Sequence, residues 1–178
     1  MADKAGSLAS ATSPITAGDA ASAFSCGEPA LDDFFARHAL GNHERGIGTT
    51  FVLRGTADDE PPVLGFYALS MADVDAKRLS KAVRGQLPRY PLPVALIGRL
   101  AVHDAAQGKR VGQRLLVDAL RRAHSASEQV GCIGVIVDAK NERAEGFYLK
   151  YGFTLIDGSA WPHRLFLPMA TIRAGRGL

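Results

Sequence analysis

The sequence predicts one α/β domain with a mixed sheet, and three observations carry that reading. Cys132 to Val137 (CIGVIV) is apolar without alternation, the pattern of a strand buried on both faces. Val111 to Ala123 places Val111, Leu115, Leu116, Ala119, Leu120 and Ala123 on one helical face. Other strand-like runs precede, separate and follow the helices, which is the order of an interleaved α/β chain.

Taken in order, Met1 to Pro14 consists mostly of Ala, Ser, Gly and Thr, too poor in large apolar groups to offset the entropy of ordering. Residues 1–20 are therefore expected to be a flexible leader, with the domain over 21–172 and a basic, frayed tail over 173–178. A short extended piece is expected at Ala21 to Phe24. Pro29 to Leu40 reads as a helix with Leu31, Phe34, Phe35 and Ala39 apolar, and Pro29 and Gly41 as its punctuation. Thr49 to Leu53 and Val63 to Ser70 are rich in β-branched and aromatic residues, and the Gly/Asp/Pro cluster from Gly55 to Pro62 reads as their hairpin loop. Ala76 to Leu87 is expected to be a basic helix, closed by Pro88, Pro91 and Pro93. Val94 to Val102 is a strand whose apolar run is interrupted by Gly98 and Arg99. Asn141 to Tyr151 is a second amphipathic helix carrying Ala144, Phe147, Tyr148 and Tyr151. Phe153 to Ile156 and Arg164 to Leu167 complete the strands.

Composition sets the bounds. The 178 residues suit one domain, and 47% hydrophobic with 22% charged residues is the balance of a globular protein. No apolar run approaches the ~20 residues that span a bilayer, and no secretory signal is evident, so no membrane partner is expected. Cys26 and Cys132 show no metal-ligand spacing and read as packing residues in a reducing cytoplasm. The net charge of +3 is modest, but Lys77, Arg78, Lys81, Arg84 and Arg89 form a run with no acidic residue inside it. Such a run is either a solvated face or a phosphate-binding surface.

The stretch from Arg99 to Leu116 carries most of the chemistry. A buried strand ends near Val102, a turn follows, and a long helix opens around Lys109 to Gly112. A helix N-terminus offers unpaired N–H groups and a positive dipole end, which suits a pyrophosphate. Gly108 and Gly112 remove side chains where phosphates would approach the backbone. An ordinary β-to-α turn would look similar. Neither a Walker loop nor a dinucleotide-binding fingerprint is present. No metal cluster, no Ser/His/Asp arrangement and no general base is evident, with His43 and His103 read as surface residues.

Gln107-Gly-Lys-Arg-Val-Gly112 resembles the Gln/Arg-x-x-Gly-x-Gly/Ala signature with which GNAT acetyltransferases hold the pyrophosphate of acetyl-coenzyme A. Arg110 stands where the family has its first glycine; in a left-handed backbone it costs about 1 kcal/mol relative to Gly, and it adds a cation beside a triply phosphorylated ligand. Asn141-Glu-Arg-Ala-Glu-Gly-Phe-Tyr-Leu-Lys-Tyr-Gly-Phe153 resembles the family's Asn-x-x-Ala-x-x-Phe-Tyr-x-x-x-Gly-Phe segment. The resemblance implies a GNAT fold with a mostly antiparallel sheet flanked by helices. It implies that Leu100, Ala101 and Val102 hold the pantetheine arm and polarise the thioester, and that Gln107, Gly108, Lys109, Arg110, Val111, Gly112, Gln113 and Asn141 also bind the cofactor. It sets the Tyr148 hydroxyl beside the sulfur. A phenol of pKa near ~10 can protonate a departing thiolate of pKa near ~8.5, so Tyr148 fits a general acid, although a core aromatic would sit there too. Tyr151 is assigned to the core.

Phe24-Ser-Cys-Gly-Glu-Pro-Ala-Leu-Asp-Asp-Phe-Phe35, Thr50-Phe-Val, Gly65-Phe-Tyr-Ala-Leu, Pro93 to Val102 and Arg164-Leu-Phe-Leu-Pro-Met169 look like the GNAT toxins of type II toxin–antitoxin pairs. That resemblance implies acetylation of the α-amine of aminoacyl-tRNA, a ribbon-helix-helix antitoxin and a homodimer. Lys77, Arg78, Lys81, Arg84, Arg89 and Arg99 are then candidates for contact with the RNA phosphates. A GNAT enzyme for a small amine or protein N-terminus, or a non-catalytic acetyl-coenzyme A-binding module, would share the same signatures.

Overall fold

Seven strands form one sheet in the computed structural model, which describes residues 11–58, 60–85 and 87–175. They are Ser13–Pro14 (β1), Thr49–Arg54 (β2), Val63–Val74 (β3), Leu92–Val102 (β4), Gly134–Ala139 (β5), Thr154–Asp157 (β6) and His163–Pro168 (β7). The sheet order is β1-β2-β3-β4-β5-β7-β6, and only the β4–β5 pair is parallel. The helices are Ala17–Ala20 (α1), Pro29–Arg37 (α2), Ala39–Glu44 (α3), Lys81–Arg84 (α4), Val111–Ser127 (α5), Glu142–Lys150 (α6) and Met169–Arg173 (α7). This is the mixed, mostly antiparallel α/β sheet expected.

The periodicity that predicted α5 is the periodicity that buries it. Val111, Leu115, Leu116, Ala119, Leu120 and Ala123 pack with Tyr67, Ile97, Val135 and Val137 on one face of the sheet. Gly65 on β3 allows the close approach, because a Cβ there would lie 2.8 Å from the Leu115 side chain and 2.7 Å from the Ala101 carbonyl oxygen. On the opposite face, Phe24, Phe34 and Phe35 meet Phe66 and Ala101 in a second cluster. A third, with Leu79, Leu92, Val94, Ile136 and Phe166, lies beneath the segment between β3 and β4.

Several expectations need correction. The described part of the leader, from Ala11, is folded: β1 pairs with β2, and Ile15 is buried. A capping box between Thr16 and Asp19 starts α1, and Asp19 pairs with Arg54. Thr12 donates to Asp118 on α5, and Arg122 bonds both. Polar ties supply what the small apolar side chains lack. Ala21 to Phe24 is not a strand but an irregular link into α2. The helix expected at Pro29 to Leu40 breaks at His38 into α2 and α3. The basic helix does not run unbroken either. A single 3₁₀ turn, Ala76–Arg78, ends where Leu79 turns extended to bury its side chain, and Ser80 then caps the short α4. The tail is helical through Arg173; residues 176–178 lie outside the described set.

Candidate active site

The site arises where β4 and β5 part. Their parallel pairing covers Ala95, Leu96 and Ile97 against Val135, Ile136 and Val137 and goes no further. Beyond it β4 stays paired with β3 as far as Val102, while β5 stays paired with β7 as far as Ala139. The cause lies at Gly98, the extra residue in a register shift that matches Leu69 to Ile97 and Ala68 to Arg99. A bulge of this kind bends a strand and re-aims its side chains. Before it Ala95 and Ile97 face α5; after it Leu100 and Val102 do. His103 N–H donates to Leu64 O, so alternation points the Ala101 amide toward β3 and those of Leu100 and Val102 into the opening. Two of the three strand amides expected to grip a ligand are thus available for it, and Ala101 contributes wall.

The opening leads into a cavity of about 720 Å³. Leu100, Ala101, Val102, Gln107, Gly108, Arg110, Val111, Gly112, Gln113, Asn141 and Tyr148 all line it. Lys109 does not; it borders a smaller cavity of about 290 Å³ with Glu60 and Arg114. At the mouth of α5, Arg114 N–H bonds Arg110 O at 3.1 Å as the first regular helical bond, leaving the amides of Val111, Gly112 and Gln113 in the cavity wall. Gly108 (φ 76°) and Arg110 (φ 61°) both adopt left-handed backbone to turn the chain into α5. Gly112 needs no such freedom. A Cβ there would sit 3.6 Å from Val102 and 3.7 Å from Phe147, ordinary contact distances, so packing does not require the missing side chain.

Arg110 therefore carries the strain anticipated at the family's glycine position. Arg110→Gly is expected to raise folding stability by up to about 1 kcal/mol, less the added freedom of the unfolded chain, and to weaken binding of a phosphorylated ligand. Thermal unfolding and calorimetry read the two effects. A variant that is less stable would mean that the arginine side chain holds the loop together.

Other expected groups serve the frame. Gln107 Nε2 donates to the carbonyls of Cys26 at 3.1 Å and Val102 at 3.2 Å, stapling the turn to the segment before α2. Asn141 caps α6 by accepting from Ala144 N–H at 3.0 Å. His103 accepts from Ala105 N–H, and His43 accepts from Thr50 N–H, so both are local structural groups. Cys26 lines the cavity as a neutral thiol, pushed up to about 12 by burial and by neighbouring Asp32.

Tyr148 combines both alternatives left open by the sequence. It is 8% exposed, packs edge-on against Phe147 and Phe153, and still lines the cavity. Burial, and then the charge of Asp138, push its phenol above the ordinary value, so it stays protonated. Tyr151 packs against the main core as expected, but it is only half-buried and also lines the cavity beside Phe147. The sequence reading also passed over Lys140, Arg143 and Lys150, three cavity cations on or beside α6. The spacing of Arg143, Phe147 and Lys150 as i, i+4 and i+7 could have revealed them. Lys140 forms a 3.0 Å ion pair with Glu28 between two cavity-lining segments.

The basic run lies apart from this cavity. Lys77, Arg78, Lys81 and Arg89 are exposed, Arg84 is half-buried, and Arg78 pairs with Asp157. Arg99 lies 4.0 Å over the Phe34 ring. Among the described residues, no cluster of His, Cys, Asp or Glu could hold a metal ion, and no helix is long and apolar enough to cross a membrane.

A parted β4–β5 pair, strand amides in the opening and a left-handed turn into α5 suit a phosphorylated thioester. The sequence profile of the acetyltransferase (GNAT) domain matches residues 48–155. The chain belongs to the GNAT family. It is an acetyl-coenzyme A-dependent acyltransferase with the GNAT fold. A tRNA-acetylating toxin of Mycobacterium tuberculosis is 37% identical over 165 residues, covering 93% of this chain and 95% of the relative. Among solved GNAT structures, AtaT complexed with acetyl-methionyl-tRNAfMet has a TM-score of 0.77 at 33% identity, covering 85% of this chain and 88% of the other. A tyrosine-to-phenylalanine variant of AtaT, bound to the C-terminus of the antitoxin AtaR and acetyl-CoA, has a TM-score of 0.69 at 30% identity, covering 85% and 86%.

Proposed function

We propose that this GNAT enzyme moves an acetyl group from acetyl-coenzyme A to the α-amine of aminoacyl-tRNA. It thereby acts in the cytoplasm as a translation-blocking toxin, neutralised by a ribbon-helix-helix antitoxin. The observation that carries the reading is the cavity at the β4–β5 parting, with the N-terminus of α5 at one end and Tyr148 within, in a chain 37% identical to a tRNA-acetylating toxin. The donor set fits the cosubstrate: free helix amides and Arg110 for the pyrophosphate, Arg143 and Lys150 for further phosphate charge, and a strand edge for the amide-bearing arm.

In this mechanism Leu100 and Val102 N–H groups align the pantetheine arm and polarise the thioester carbonyl. An α-amine of pKa near ~8 is partly neutral at cellular pH and attacks that carbonyl without a dedicated base. The carbon–sulfur bond breaks as the new carbon–nitrogen bond forms. Tyr148 gives its proton to the sulfur, and the proton lost by the amine restores the phenol by way of solvent. Burial, and then the Asp138 charge, raise the phenol's pKa, so it holds its proton until negative charge develops on the sulfur.

Lys77, Lys81, Arg84 and Arg89, with Arg78 and Arg99, are the surface we assign to the RNA phosphates. Neutralising Lys81, Arg84 and Arg89 together is expected to weaken tRNA binding and to flatten the log–log salt dependence by about 2–3, at 0.7–0.9 per contact. Acetyl-coenzyme A affinity should stay the same. An unchanged slope would return these residues to a solvated face. The toxin role is tested by expression alone and together with a ribbon-helix-helix antitoxin, sought in the neighbouring genes: growth should stop in the first case and resume in the second. Unimpeded growth on expression alone would count against it. The resemblance also implies a homodimer, which sedimentation reads directly.

A further inference from the structure

We infer that Trp161 is a stacking platform for the nucleobase at the 3′ end of the acceptor RNA, the base of the nucleotide that carries the reacting amino acid. The inference rests on the proposed aminoacyl-tRNA substrate and adds how its end is held. Trp161 is 45% exposed and belongs to none of the three core clusters. Single exposed apolar residues are common, but this one is fixed. Its ring lies face to face with His163, with centroids 3.5 Å apart and planes 6° apart. His163 Nδ1 in turn contacts Glu145 Oε2 at 2.5 Å, on α6 one turn before Tyr148. An indole backed by a clamped imidazole presents a flat surface that is ordered in advance.

Its position supplies the second half of the case. The turn between β6 and β7 has two anchors. At its start Asp157 pairs with Arg78, within the basic run, and accepts from Ser159 N–H and Oγ–H. At its end His163 is tied to the helix of Tyr148. Trp161 thus sits between the cations assigned to phosphates and the phenol assigned to the sulfur. His163 lies opposite Ala139 on β5, and one strand spacing is about 4.8 Å. Ala139 is two residues, about 7 Å, beyond Val137, the last β5 residue paired with β4, so the backbone that carries the indole is on the order of 10 Å from the parting. That reach compares with the span from the amine of an aminoacyl ester to the base of its own nucleotide. Tryptophan accepts any base through its π-face, which suits an RNA end common to every acceptor.

The test uses the whole protein and two substitutions, Trp161→Ala and Trp161→Phe. With bulk aminoacyl-tRNA, Trp161→Ala is expected to raise KM by roughly 10- to 100-fold, the usual worth of one base stack, with kcat and acetyl-coenzyme A affinity retained. Trp161→Phe should keep most of the affinity, which a purely structural role for the indole would not require. A tRNA carrying 2-aminopurine in place of its terminal adenine should lose fluorescence on binding the unmodified protein and should not on binding Trp161→Ala. An unchanged KM together with unchanged quenching in Trp161→Ala overturns the platform while leaving the substrate assignment standing. Failure of the unmodified protein to acetylate any aminoacyl-tRNA overturns both.

Discussion

Tyr148→Phe is expected to slow acetyl transfer by roughly 10²–10⁴-fold, the usual worth of a general acid, while acetyl-coenzyme A still binds. The change removes one oxygen from a ring whose edge-on contacts with Phe147 and Phe153 need only the ring, so folding should be preserved. Burial and Asp138 hold the phenol above its ordinary pKa. In the unmodified enzyme the rate should rise through about pH 8 as the amine loses its proton, with no fall near 10 from loss of the acid. A cell should tolerate the Phe variant where the parent arrests growth. Full activity in Tyr148→Phe would remove the hydroxyl from the mechanism. Tyr151 cannot serve as the silent control that a core residue would be, because it also lines the cavity.

Gly112→Glu should abolish acetyl-coenzyme A binding. The added carboxylate would stand in the first turn of α5, among the amides that face the cavity, and would meet the phosphates with both bulk and like charge. The first atom of the side chain makes only ordinary contacts, and thermal unfolding separates lost binding from misfolding. An acidic residue at a helix N-terminus is in fact favourable to the helix. Thermal stability should therefore hold or rise while the calorimetric signal disappears. Undiminished affinity would move the pyrophosphate elsewhere.

Patterned burial was legible in the sequence. The apolar stripe of α5 could be read because it buries one helical face, and the unalternating run of β5 because Val135 and Val137 face the α5 core while Ile136 faces the third cluster. The turn into α5 was legible in part: Gly108 takes the left-handed backbone that glycine permits, whereas neither the left-handed backbone of Arg110 nor the ordinary one of Gly112 follows from its residue type. What escaped depends on long-range partners. Thr12 earns its order from Asp118 and Arg122, far along the chain, and composition alone made it look loose. Leu79 broke the basic helix because burying its side chain outweighed local helix propensity. Gly98 was visible as an interruption, but its effect became clear only with β3 alongside to define the shifted register. Helical spacing put Tyr148 and Tyr151 on one face without saying which would be sealed, a difference set by Phe153 packing against Tyr148.

Acetyl transfer to charged tRNA can be followed directly. Radiolabelled acetyl-coenzyme A, the unmodified protein and bulk aminoacyl-tRNA are incubated together, and the RNA is recovered and its ester bonds hydrolysed. The label should be found on the α-nitrogen of released amino acids, should be absent when uncharged tRNA is supplied, and should fall by roughly 10²–10⁴ with Tyr148→Phe. Label that appears on free small amines or protein N-termini, and on no aminoacyl-tRNA, would contradict the assignment.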